Sequence, residues 1–233
     1  MGSIIEGFRK AFFLILSLDP ELLKIIFLSL KVSGLALVIS TAVGLLLSTL
    51  LSFKKIPLQG IIISLMNTFM GLPPVVVGLF VYLILSRSGP LGFMGLLYTP
   101  SAMVTAQTIL AFPIVASLCH SAIISVDPII KQSSMTLGAT PLQITITVMR
   151  EARYGIMSGI IAALGRVMAE VGAILIVGGN IAGYTRVMTT TIALETDKGN
   201  FELALALGII LLTLSLIINI ILYRGQRKGS VNR

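Results

Sequence analysis

Five runs of apolar residues stand out along the chain, each about 20 residues or longer, enough at about 1.5 Å per residue to cross roughly 30 Å of hydrocarbon. They lie near residues 25–51, 60–85, 101–125, 155–179 and 203–223. Inside a bilayer no water is present to satisfy N–H and C=O groups, so a spanning segment is a helix or part of a closed barrel. These runs far exceed the roughly 9–11 residues of a barrel strand. The pattern predicts an all-α membrane protein with five transmembrane helices. Ahead of the first span, Ile4, Ile5, Phe8, Phe12, Ile15 and Leu16 recur at helical spacing with Glu6, Arg9 and Lys10 between them. This is the pattern of an interfacial amphipathic helix, because the continuous apolar stretch from Ala11 to Leu18 is too short to span. Asp19, Pro20 and Glu21 read as a cap, a first-turn proline and a first-turn acid opening span one. No small-residue cleavage site precedes them, which argues against a signal peptide. The expected organisation is an N-terminal amphipathic segment over 1–20, a transmembrane domain over 21–223 and a basic tail over 224–233.

Composition agrees with this class and removes others. Of 233 residues 56% are hydrophobic and 11% charged, against about 25% charged in soluble domains. The formal charge of +8 would suggest nucleic acid if it were spread over one surface. Instead, the gaps after spans one and three and the tail hold Lys54, Lys55, Lys131, Arg150, Arg153, Arg224, Arg227, Lys228 and Arg233 against Asp127 and Glu151. The opposite side is balanced. By the positive-inside tendency this puts the C-terminus in the cytoplasm and the N-terminus outside, in a multi-pass plasma-membrane protein with no nucleic-acid partner. The basic tail is then an anchor against anionic lipid. A single cysteine excludes a disulfide framework, and a single histidine leaves few routes to metal or triad chemistry. His120 follows Cys119 on a helix, so the two point about 100° apart and read as packing. The expectation is a chain with no catalytic residue, no metal site and no bound cofactor.

Segment 126–154 is the one long connection on the basic side, and it is organised. Asp127 and Pro128 can cap and start a short helix that ends at Gly138; Thr140 and Pro141 can cap and start a second running toward Arg153. The result is a two-helix knob. Its apolar positions Ile129, Ile130, Met135, Leu137, Leu142 and Ile146 alternate with polar ones, a face that another protein could cover.

The stretch Gln132-Ser133-Ser134-Met135-Thr136-Leu137-Gly138-Ala139-Thr140-Pro141 resembles the EAA loop of the permease subunits of binding-protein-dependent ABC importers. Gln132 stands where that family often has Glu, Ser133 and Ser134 replace alanines, and Glu151 stands where many members have Pro; the Leu137-Gly138-Ala139-x-Pro141 centre is intact. Leu72 to Gly78 with Gly89-Pro90-Leu91-Gly92 is similar to molybdate-type permeases. Gly165 to Ala173, Gly178 to Ile181, Tyr184 to Val187 and Thr191 to Glu195 most resemble the tungstate branch. The resemblance implies a type I ABC importer permease fold and a homodimer. It further implies a cytoplasmic ATPase dimer that docks on Gln132, Ser133, Ser134, Leu137, Gly138, Ala139 and Pro141 and uses ATP and Mg, and an extracytoplasmic protein that delivers tungstate. Molybdate or sulfate is the alternative cargo. A secondary transporter or channel independent of any ATPase is the alternative class; it predicts inverted repeats, and the two halves show none that convinces.

Within the spans, charged residues are functional candidates because they are expensive in lipid. Arg166 and Glu170 lie four apart in span four, so they share one helix face and can pair, either beside the translocation pathway or as a structural lock. Passage of an oxyanion calls for hydrogen-bond donors without a tight cage. Asn67 and Thr68 supply such groups, just before Pro73 and Pro74, which either kink span two or break it open. Lys31 can snorkel toward the surface.

Overall fold

The computed structural model describes Arg9, Phe12, Phe13 and residues 20–54 and 56–228. The expected surface helix over 1–20, with its Asp19 cap, and the tail beyond residue 228 fall outside the described residues, apart from Arg9, Phe12 and Phe13, which are helical and exposed.

Ten α-helices carry the described chain. They are α1 (Pro20–Phe53), α2 (Gln59–Phe69), α3 (Pro74–Leu85), α4 (Pro100–Ile124), α5 (Pro128–Thr136), α6 (Pro141–Glu151), α7 (Arg153–Met168), α8 (Gly172–Gly178), α9 (Met188–Asp197) and α10 (Phe201–Lys228). Three of them, α1, α4 and α10, are long and apolar enough to cross a membrane alone. The other two spans are bent pairs: α2 and α3 meet at 107° and α7 and α8 at 56°. With each bent pair taken as one span, the count reaches the five expected, two of them broken.

The centre of the bundle is the pairing of α1 with α4. On α1 the buried positions Ser29, Ser33, Ala36, Ser40, Gly44 and Ser48 recur every three or four residues, a stripe of small side chains that lets two backbones approach. Gly44 shows the closeness, because a Cβ there would lie 2.9 Å from Val115 Cγ1. The serine hydroxyls do not oppose this burial, since Ser29 donates to Ile25 O at 2.7 Å, Ser40 to Leu37 O at 3.1 Å and Ser48 to Leu45 O at 2.9 Å. Around this pair one core gathers α3, α4 and α8 through Val77, Val81, Met103, Leu110, Ile174 and Val177. A second joins α4 to α7 through Ile114, Val115, Leu164 and Val167.

Cys119 and His120 diverge as expected. Cys119 turns its thiol toward Ile156 O on α7, 3.8 Å away, while His120 Nδ1 lies 2.9 Å from Ser52 Oγ on α1. Among the described residues no three His, Cys, Asp or Glu side chains gather to hold a metal ion.

Candidate functional site

Two regions carry the residues singled out from the sequence. The first is the knob. Asp127 accepts from Ile129 N at 2.9 Å and caps α5, and Thr140 forms a capping box with Gln143, whose Oε1 accepts from Thr140 N at 2.8 Å. Between the two helices Gly138 sits at φ +76°, a left-handed conformation that costs a glycine little and that ends α5 in a tight bend. Ala139 N and Gly138 N close that turn on Ser134 O and Met135 O, both at 3.0 Å.

The two helices are held unequally. α6 buries Ile144 and Val148 against Ile123 and Ala152, with Ala139 packed at the edge. α5 buries none of its residues. Gln132, Ser133, Leu137, Gly138 and Pro141 are exposed, and Ser134 and Ala139 are half-buried. Leu137 is 86% exposed, Leu142 69% and Ile129 62%. A rigid, well-capped helix with an apolar outer face and a firm root is suited to transmit a push. The caps hold its shape without a partner, and the apolar side chains gain only when one arrives.

The second region is where the two broken spans meet. Chain direction changes at Leu72–Pro73 and again at Ala169–Val171, and the halves after each break pack on one another. A Cβ on Gly78 of α3 would come within 2.8 Å of Ala173 Cα on α8, and one on Gly172 would meet Val75 Cγ2 at 3.0 Å. Breaking a helix frees backbone groups that hydrocarbon does not satisfy, and here side chains from other helices supply the partners. Val167 O accepts from Gln107 Nε2 at 2.9 Å, with Ser33 Oγ at 3.5 Å. Glu170 O accepts from Thr189 Oγ1 at 2.8 Å; beside it, the first amide of α9, Met188 N, donates to Ser29 Oγ at 2.8 Å. Gln107 is 1% exposed and Glu170 4%.

This geometry corrects one expectation. Arg166 and Glu170 do not share a helix face as an ion pair, because α7 ends at Met168. Each instead serves a different broken helix. Arg166 reaches across to α2 and α3 and donates from Nη2 to Leu72 O at 2.8 Å, at the break before Pro73. Glu170 accepts from Ala173 N at 2.9 Å in the first turn of α8. A cation thus meets a carbonyl beyond the end of one helix, and an anion meets an amide at the start of another, the arrangement that helix-end partial charges favour. The prolines, likewise, do more than kink: Pro73 lies between α2 and α3 in extended conformation and Pro74 opens α3.

Asn67 and Thr68 lie on the exposed side of α2, and Pro73 is also exposed. Thr68 Oγ1 bonds back to Ser64 O at 2.9 Å. Ser117 Oγ on α4 donates to Asn67 Oδ1, which fixes the amide and leaves its Nδ2 without an acceptor among the described residues. Missed from the sequence were Gln107, Ser33 and Thr189, the polar residues that make the break tolerable. A glutamine in a run as apolar as 101–125 was the available signal for Gln107.

Comparison with known proteins fits this architecture. The family of binding-protein-dependent transport system inner membrane components matches residues 40–228. The chain is 42% identical over 228 residues to the tungstate uptake system permease protein TupB of Peptoclostridium acidaminophilum, covering 98% of this chain and 100% of that one. It is 31% identical to the molybdenum transport system permease protein ModB of Escherichia coli K12, over 85% of this chain and 90% of that one. Among solved structures, a bacterial alginate ABC transporter in complex with alginate pentasaccharide-bound periplasmic protein superposes with a TM-score of 0.77 at 20% identity, over 98% of this chain and 88% of its counterpart. The fold is that of a type I ABC importer permease, and the chain belongs to the family of inner membrane components of binding-protein-dependent transport systems.

Proposed function

We propose that this chain is the membrane-spanning subunit of an ATP-driven importer for a tetrahedral oxyanion, tungstate first, with molybdate the nearest chemical alternative. The observation that carries the cargo is identity of 42% along the full length of a tungstate uptake permease, against 31% for a molybdenum permease. The observation that carries the coupling is the knob, whose apolar tip at Leu137 is 86% exposed while its root at Ile144 and Val148 is buried. In this reading two copies form the pathway, two ATPase subunits bind α5 and α6 from the cytoplasm, and a binding protein delivers the anion at the other face. ATP and Mg belong to the ATPase; this chain contributes gating and no catalytic group.

The mechanism follows from rigidity and hinge placement. Closure of the ATPases displaces α5; α6, rooted on α4 and running through Ala152 into α7, carries that displacement to the α7–α8 break. There the side chains that hold the break, Gln107, Arg166 and Glu170, link α4, α7 and the α2–α3 turn, so that movement at one broken span reaches the other. Asn67 Nδ2 offers a neutral donor on the exposed side of α2, beside Thr68, whose hydroxyl donates to Ser64 O. Reconstitution into proteoliposomes with the ATPase and binding protein tests the reading. ATP-dependent uptake of tungstate in preference to molybdate is expected, and uptake at the same rate without the ATPase would overturn it.

A further inference from the structure

At the α7–α8 break one buried acceptor is left over. Gln107 is 1% exposed, and its Nε2 donates to Val167 O at 2.9 Å. That bond fixes the amide, because turning it over would set Oε1 against the Val167 carbonyl with no hydrogen between them. Oε1 is then sealed from bulk solvent with no donor among the described residues. A buried amide oxygen left without a donor costs more than one hydrogen bond usually contributes, so the position calls for a donor small enough to reach it.

A cavity lies beside it. Gln107, Ser29, Ser33, Val167, Met188 and Thr189 are among the residues that line it, and the centre of a water-sized sphere has about 10 Å³ to move in, room for one water molecule. The polar wall of this cavity has hydrogen-bonding capacity to spare. Ser33 Oγ lies 3.5 Å from both Val167 O and Gln107 Nε2, at the far limit of a hydrogen bond, so its hydroxyl is available to a nearer acceptor. Thr189 Oγ1 gives its hydrogen to Glu170 O and keeps its lone pairs. Ser29 Oγ gives to Ile25 O and takes Met188 N, which leaves it little to offer.

We propose that this cavity is a binding site for one ordered water molecule, which donates to Gln107 Oε1, accepts from the Ser33 hydroxyl and gives its second hydrogen to Thr189 Oγ1. Three partners is the usual number for a buried water. A cation fits the wall less well, since the Gln107 amide hydrogens face it as well as oxygens and, among the described residues, no carboxylate lines it to offset the charge. The water ties α4 to α1 and α9 at the break. It can turn among its partners, so the network stays closed when the break changes angle; that use rests on the hinge reading above, while the site itself does not.

X-ray radiolysis of the full chain in detergent reads the site directly, because hydroxyl radicals made from a bound water oxidise the thioether beside it. Met188 lines the cavity and Met103 does not, and both are 0% exposed to bulk solvent. Met103 instead fills the space beside Gly178 in the apolar core. Peptide mass spectrometry is expected to find Met188 oxidised several-fold faster than Met103. Gln107→Leu, which deletes the acceptor, should bring Met188 down to the Met103 rate. Equal protection of the two methionines in wild type overturns the proposal whether or not the variant folds, and so does a Met188 rate that Gln107→Leu leaves unchanged.

Discussion

Leu137 in the knob and Gln107 beside the α7–α8 break occupy each other's expected places. The leucine is 86% exposed and the glutamine 1% exposed. In the knob, polar caps close the backbone locally and the apolar residues face outward; at the break, the backbone is left open by the change of direction and polar residues turn inward to close it. The first region is complete as a shape and incomplete as a surface, as the proposed docking role requires. The second is complete as a surface and depends on distant residues for its shape, as the proposed hinge role requires.

Substitutions separate the two regions. The largest effect is expected from Leu137→Asp, which should weaken ATPase binding about 30-fold, as for removal of a central interface anchor, yet leave the thermal stability of the chain unchanged; affinity and melting are measured on the same preparations. At the break the opposite split is expected. Glu170→Ala should destabilise the chain by about 2–3 kcal/mol by stripping a buried acceptor from α8, read as a fall in detergent melting temperature. Because Arg166 and Glu170 bond to different helices, Arg166→Leu with Glu170→Ala should be near additive, with a coupling below about 1 kcal/mol. A buried ion pair would give several times that. Gln107→Leu should cost about 1–2 kcal/mol, since Val167 O loses its best donor while the unpartnered Gln107 Oε1 is removed at the same time.

Two smaller effects sharpen the contrast. Thr140→Ala removes the capping box and should reduce knob stability by about 1 kcal/mol, lowering transport without abolishing ATPase binding. Outside the spans, Lys198 and then Asn200 and Arg186 hold the Glu195 carboxyl below its ordinary range against the opposing effect of burial. A depressed carboxylate contributes stability that is present above its unfolded value and lost as pH falls through the folded one. The acid limb of the melting curve should therefore flatten in Glu195→Gln.

How far the sequence reveals these regions follows from where their determinants sit. The knob is local: Asp127, Pro128, Gly138, Thr140 and Pro141 are neighbours in sequence, each with a backbone preference of its own, and all of them act in the structure as that preference implies. The Leu72–Pro74 break is announced by two prolines. The α7–α8 break has no proline, and nothing between Gly165 and Gly172 forbids a continuous helix; it persists because Gln107, Ser33 and Thr189, 19 or more residues away in sequence from the groups they satisfy, take up the freed carbonyls. The i, i+4 spacing of Arg166 and Glu170 therefore describes a helix that tertiary contacts interrupt.

Labelling at a single site tests the docking assignment most directly. Cys119 is fully buried and is the chain's one cysteine, so Leu137→Cys provides a reactive thiol against a low background. Maleimide should modify it rapidly in the isolated permease and only slowly once the ATPase is bound. Equal labelling rates in the two states would contradict the assignment of α5 and the Leu137 tip as the surface that the ATPase covers.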